Sequence, residues 1–180
     1  MRLYHTGPEI IMDPDITIGR KNADFGQGFY LTDDLDFTRR WARERTPYVN
    51  IYELDEDDLV IRRFFRNTDW FRYIFQNRRG LADRITADVI IGPIANDTIY
   101  DTFGIITSGL LKDEDAIKLL LIGPQYTQIV LKTERAVKNL RWISAEVLNA
   151  GEIIKYREIV TAEEEAYQKL FSEEVERLQP

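Results

Sequence analysis

Short runs rich in β-branched and aromatic residues recur along the chain, each bounded by Gly, Pro, Asn or Asp. They predict strands over residues 2–5, 28–32, 49–54, 88–94 and 128–132, with 141–144 as a sixth candidate. Between them the apolar spacing is helical. Trp70, Phe71, Ile74 and Phe75 follow Asp69, a candidate N-cap, and Ala116, Ile117, Leu120 and Leu121 repeat the pattern after Asp113. Thr133 is placed to cap a short helix reaching Leu140. Near the end, Thr161 with Glu164 reads as a capping box ahead of an apolar stripe formed by Ala166, Tyr167, Leu170, Phe171, Val175 and Leu178. The order is an α+β pattern, without the regular strand–helix alternation of a doubly wound sheet. It predicts a compact mixed or antiparallel sheet of short strands with flanking helices and a cleft. No linker or internal repeat divides the 180 residues, so a single domain is expected.

Composition narrows the chemistry. Hydrophobic residues make up 44% of the chain, with 9 Phe, 9 Tyr and 3 Trp, enough to support a packed core. The absence of cysteine removes disulfides, thiolate metal sites and cysteine nucleophiles. His5 is the one histidine, so a multi-imidazole metal centre is excluded and no metal is expected. With 24 Lys and Arg against 31 Asp and Glu, the net charge of -7 is not the signature of a constitutive nucleic-acid binder. Two local basic clusters remain. Arg39, Arg40, Arg43 and Arg45 surround Trp41 on a predicted helix, and Arg78, Arg79 and Arg84 follow the aromatic helix. Either is a solvated face, or a patch for a diphosphate or a nucleic-acid acceptor. No apolar run approaches the ~18 residues of a membrane span, and the start lacks the apolar region of a secretory signal. A cytoplasmic location is expected.

Four places break the strand patterns with polar residues. Leu3-Tyr4-His5-Thr6-Gly7 sets an imidazole beside a bare backbone. Asp24-Phe25-Gly26-Gln27-Gly28-Phe29-Tyr30 puts two glycines before an aromatic pair; in a strand Phe29 and Tyr30 point to opposite faces. Ile91-Gly92-Pro93-Ile94-Ala95-Asn96-Asp97 ends a strand at a predicted helix start around residues 98–103. There Asn96 or Asp97 either caps the helix or offers polar groups to an anion or a ribose hydroxyl. Lastly, Gln125 and Gln128 lead into an apolar strand.

In order, these segments resemble the bacterial family of unknown function DUF3990. The likeness runs from Leu3 to about Trp142 and also includes Asn77-Arg78 and Lys132-Thr133-Glu134. That family is similar in turn to the diphtheria-toxin-like ADP-ribosyltransferases, which carry a His–Tyr–Glu triad on three strands of a split sheet. The resemblance implies an ADP-ribosyltransferase-like domain over residues 1–145, with residues 146–180 as a C-terminal helical extension packed on it. It implies NAD as substrate and His5, Tyr30 and Gln128 as the catalytic set. His5 would bond the adenosine ribose, the Gly7 backbone would hold the nicotinamide carboxamide, and Tyr30 would stack on the nicotinamide ring. Thr6, Gly28, Phe29 and Asn96 complete the expected cofactor-binding residues. Stacking alone would make Tyr30→Phe a mild change.

The departure from the pattern is Gln128, where those enzymes usually place Glu. Breaking the nicotinamide–ribose bond builds positive charge on the ribose, which a carboxylate stabilises better than an amide. Gln128 can hold a ribose hydroxyl but cannot serve as a general base, so single transfer is expected rather than polymer elongation. A Glu at 128 is expected to keep the same contact. Asp24, Asp97 and Glu134 are the candidate carboxylates for activating an acceptor. The leading expectation is a mono-ADP-ribosyltransferase, toxin-type with a small neutralising partner, its acceptor more readily a protein than a nucleic acid. NAD hydrolysis is the variant in which water intercepts the cation. The alternative is a catalytically silent domain of the same fold that binds a nucleotide or a protein.

Overall fold

The computed structural model describes residues 1–81, 83–95, 118–119 and 122–178. In chain order the elements are β1 (Arg2–Gly7), β2 (Phe29–Leu31), α1 (Leu35–Arg39), β3 (Tyr48–Leu54), β4 (Ile61–Arg63), α2 (Thr68–Arg78), β5 (Val89–Pro93), β6 (Thr127–Leu131), α3 (Glu134–Lys138), β7 (Leu140–Val147) and α4 (Ala150–Leu178). They form a small α+β domain. The strands divide into an antiparallel sheet of order β1-β3-β7 and a mixed sheet of order β2-β6-β5-β4. One bridge joins the two: Tyr4 N donates to Thr32 O at 2.8 Å and Thr32 N returns to Tyr4 O at 3.0 Å.

Alternation along the strands explains the layering. Phe29, Leu31, Ile129 and Leu131 meet Leu3, Tyr52 and Leu54 of the other sheet in one apolar cluster. Val130 and Ile90, on the opposite face of the mixed sheet, pack with Phe25 and with Trp70, Tyr73 and Ile74 of α2. A third cluster of Ala42, Val49, Leu148 and Ile153 seats the start of α4. Each large aliphatic side chain sealed this way contributes roughly 1.5–3 kcal/mol.

Several expectations are corrected. The cap of α2 is Asn67, whose side chain accepts from Trp70 N, and Asp69 lies in the first turn instead. The long helix begins eleven residues before Thr161. Asn149 and Glu152 form its reciprocal box, with Glu152 accepting from Asn149 N at 2.9 Å and Asn149 from Glu152 N at 3.0 Å. Thr161 is an exposed mid-helix residue, and of the expected stripe Tyr167 is buried while Ala166 and Leu170 are exposed. The helix expected around Trp41 ends at Arg39, and Arg43 and Thr46 close a turn by a backbone bond of 2.8 Å. The short strand β4 has no counterpart among the predicted strands; it lies parallel to β5. Thr133 does cap α3, accepting from Ala136 N. The helices expected at 98–103 and after Asp113 lie outside the described residues.

Candidate functional site

The first and second motifs meet where the sheets part. His5 sits on β1 opposite Asn50 of β3. Asn50 is buried; it accepts from Ile11 N at 2.9 Å and donates to Glu9 O at 2.9 Å, and Tyr52 donates to Ile11 O at 2.7 Å. These bonds clamp the loop after Gly7. The half-buried His5 ring lies 4.7 Å from the Phe29 ring, and its Nδ1 stands 2.8 Å from Tyr30 O. A carbonyl only accepts, so Nδ1 carries the proton and Nε2 is left as an acceptor. Burial holds the imidazole below its ordinary pKa, against the opposing pull of the Tyr30 carbonyl. A Cβ at residue 7 would stand 3.1 Å from His5 Nε2, so glycine leaves that nitrogen its room. Thr6 donates its hydroxyl to Thr38 O at 2.7 Å, tying β1 to α1.

The Asp24–Tyr30 segment is a turn held by its own tyrosine. Tyr30 Oη accepts from Phe25 N at 3.0 Å and donates to Gly26 O at 2.7 Å. Burial pushes the phenol well above the ordinary tyrosine range. Gly26 adopts φ +73°, a conformation that side chains disfavour. Gly28 lies against the Leu131 main chain, in strand contact.

The third and fourth motifs converge behind Tyr30. Gln128 on β6 is buried, and its Nε2 donates to Asp24 Oδ2 at 2.9 Å and to Pro93 O at 3.2 Å. Asp24 is buried as well. Arg78 Nε reaches its Oδ1 at 2.7 Å, and Ala95 N donates to Oδ2 at 3.1 Å. Asn77 Nδ2 donates to Asp24 O at 3.1 Å, and Lys132 Nζ to Phe25 O at 2.5 Å. Asn77-Arg78 and Lys132 thus anchor the turn of the second motif.

Tyr30 and Gln128 share the α2 face of the mixed sheet, because Tyr30 pairs with Val130 and Gln128 lies two residues before it. The His5 ring sits on the Phe29 side, and only the main chain of Tyr30 joins it. The three expected catalytic side chains are therefore linked through backbone and turn, and they do not line one surface. Among the candidate carboxylates, Asp24 is enclosed in the network above and Glu134 is exposed in the first turn of α3. Asp97, like Asn96, lies outside the described residues.

The basic cluster around Trp41 is largely engaged within the protein. Arg39 Nη2 donates to both Glu146 oxygens at 2.8 and 2.9 Å, and Arg43 donates to Arg40 O and Ala42 O. Arg40 Nη1 contacts Glu163 Oε2 at 2.6 Å and the Tyr126 hydroxyl, while the Tyr126 ring stacks on Phe37 at 4.0 Å. A cavity of about 790 Å³ lies alongside, lined in part by Phe37, Arg40, Trp41, Tyr126, Glu163 and Tyr167, and His5, Tyr30 and Gln128 are not among its walls. Sequence reading missed the Arg40–Tyr126–Glu163 group, whose members stand too far apart in the chain to leave a local signal. Among the described residues no cluster of three or more His, Asp or Glu is arranged to hold a metal ion, and no helix is long and apolar enough to cross a membrane.

A family model described as "Protein of unknown function (DUF3990)" matches residues 1–142, from β1 into the start of β7, and α4 falls beyond it. No curated protein matches the chain.

Proposed function

The chain belongs to the DUF3990 family, and from that premise we propose that it binds NAD where its two sheets part and transfers ADP-ribose to an acceptor. The supporting observation is His5, held in one tautomer by Tyr30 O, with Nε2 presented as an acceptor beside the bare Gly7 backbone. A neutral imidazole acceptor suits a ribose hydroxyl, and a bare backbone suits the nicotinamide carboxamide. Together with Tyr30 and the family's likeness to split-sheet transferases, this favours an ADP-ribosyltransferase-like fold. Thr6, Gly28 and Phe29 are assigned to the same NAD site by the family resemblance.

In the reaction the bond between C1′ of the ribose and the nicotinamide nitrogen breaks. Nicotinamide leaves neutral with the bonding pair, and the cationic ribose is captured by an acceptor nucleophile that gives its proton to solvent or a base. Water in place of the acceptor makes the enzyme an NAD glycohydrolase. A toxin-type role with a neutralising partner comes with the family resemblance; a protein acceptor, in keeping with the net charge of -7, and a cytoplasmic setting are carried over from the sequence reading, and all are part of the proposal.

A second reading has its own observation. Gln128 is engaged by Asp24, and the Tyr30 and His5 side chains occupy different faces. That arrangement favours a domain that binds a nucleotide, or a protein, without chemistry. Calorimetric titration with NAD, followed by assay of nicotinamide release with and without cell lysate, separates the two. Binding with release supports the transferase, binding without release supports the silent domain, and a flat titration at millimolar NAD removes the NAD proposal.

A further inference from the structure

A glutamine amide carries two donors at one end and an acceptor at the other. Both groups that Nε2 of Gln128 meets, the Asp24 carboxylate and the Pro93 carbonyl, only accept. The amide is therefore fixed with Nε2 turned inward. Oε1 makes no hydrogen bond among the described residues, and the residue as a whole keeps 4% of its surface exposed. Asp24 is itself held rigidly. Arg78 Nε and Nη2 both bear on Oδ1, and Ala95 N shares Oδ2 with Gln128. An amide in its place would keep an acceptor for one of these two sides and turn its own N–H donors against the other. A carboxylate accepting from Nε2 also polarises the amide and makes Oε1 a better acceptor.

We propose that Asp24 is a positioning residue that fixes and polarises Gln128, so that this position accepts a hydrogen bond from a sugar hydroxyl and cannot donate one. The inference rests on the NAD reading for the identity of the hydroxyl, taken as the 2′-hydroxyl of the nicotinamide ribose. The negative charge that a Glu would bring to position 128 stands instead one hydrogen bond behind it. The expectation that Glu could replace Gln128 with the contact intact is accordingly corrected: a carboxylate there would face Asp24 and the Pro93 carbonyl without a donor.

The test compares NAD with its analogue lacking that 2′-hydroxyl, by calorimetry on the full chain. Wild type is expected to favour NAD by about tenfold, the size of one hydrogen bond between neutral groups. Asp24→Asn should reduce the preference below about twofold. A structural role alone would weaken both dinucleotides alike and leave the preference unchanged. Wild-type preference retained by a folded Asp24→Asn overturns the proposal.

Should Asp24→Asn not fold, the orientation is read in wild type from exchange of the Gln128 side-chain amide protons by NMR. Slow exchange supports the inward amide and fast exchange overturns Asp24's part. Failure of wild type to bind either dinucleotide overturns the NAD reading and the hydroxyl assignment, while amide exchange still decides the orientation.

Discussion

His5 Nδ1 lies 2.8 Å from the main-chain oxygen of Tyr30, one residue past the Tyr4–Thr32 bridge that joins the two sheets. The contact holds the first motif to the second and decides which imidazole nitrogen faces outward. Because the chain has one histidine, a proton NMR titration reads it without ambiguity. The imidazole should titrate below its ordinary value of about 6.5. The unfolded chain then takes up a proton at a higher pH than the native one. His5's contribution to stability is thus complete above pH ~6.5 and is lost as the pH falls toward the native pKa. Denaturant unfolding should show the gap between wild type and His5→Gln shrinking from pH 7.5 to pH 5.5. A pKa above 6.5 would contradict the neutral assignment.

Tyr30→Phe, mild if the ring only stacks, is expected to be costly. The hydroxyl joins Phe25 N to Gly26 O, and its loss strands both within the turn. Stability should fall by about 1–3 kcal/mol. Thermal or urea unfolding checks this, and an unchanged midpoint would show that the turn stands without its phenol.

Asp88, just before β5, is buried against the starts of β4 and α3, accepting from Val60 N at 2.8 Å, from Thr133 Oγ1 at 2.7 Å and from Arg135. The Arg135 guanidinium, with Thr133 and Val60, holds its carboxyl well below the ordinary range. A depressed carboxylate stabilises the fold above its unfolded pKa near 4, and that contribution is lost as the pH falls below it. Asp88→Asn should cost about 1–3 kcal/mol at pH 7 and progressively less below pH 4. Equal costs at pH 7 and pH 2.5 would exclude the charged pair as the cause.

The Arg40–Glu163 pair ties α4 to the loop after α1, and the Arg40 guanidinium also covers the Tyr126 ring at 5.0 Å. Glu163→Gln should cost about 0.2–1 kcal/mol, shrinking in 1 M salt, because the pair is partly open to solvent. Arg40→Ala should cost more, and its excess should persist in salt, since it also uncovers the aromatic stack. Identical, equally salt-sensitive losses would reduce the arginine's role to its charge.

Read residue by residue, the chain by itself determined what depends on near neighbours. The β-branched runs became strands within three residues of their predicted ends, Thr133 capped its helix, and the alternation of Phe29 and Tyr30 sent them into different clusters. These features rest on propensity, capping and two-residue periodicity, all set within a few positions of sequence. Packing alone decided the rest. The three residues of β4 are too brief to announce themselves and become a strand because β5 offers its edge. Asp24 and Gln128 stand 104 positions apart, and Arg40 and Glu163 stand 123 apart. Nothing local marks either pair, since a buried donor finds its acceptor only after the chain has closed around both. The same physics separates His5 from Gln128: each lay in a legible motif, but the twist and pairing of the sheets set the face each side chain occupies.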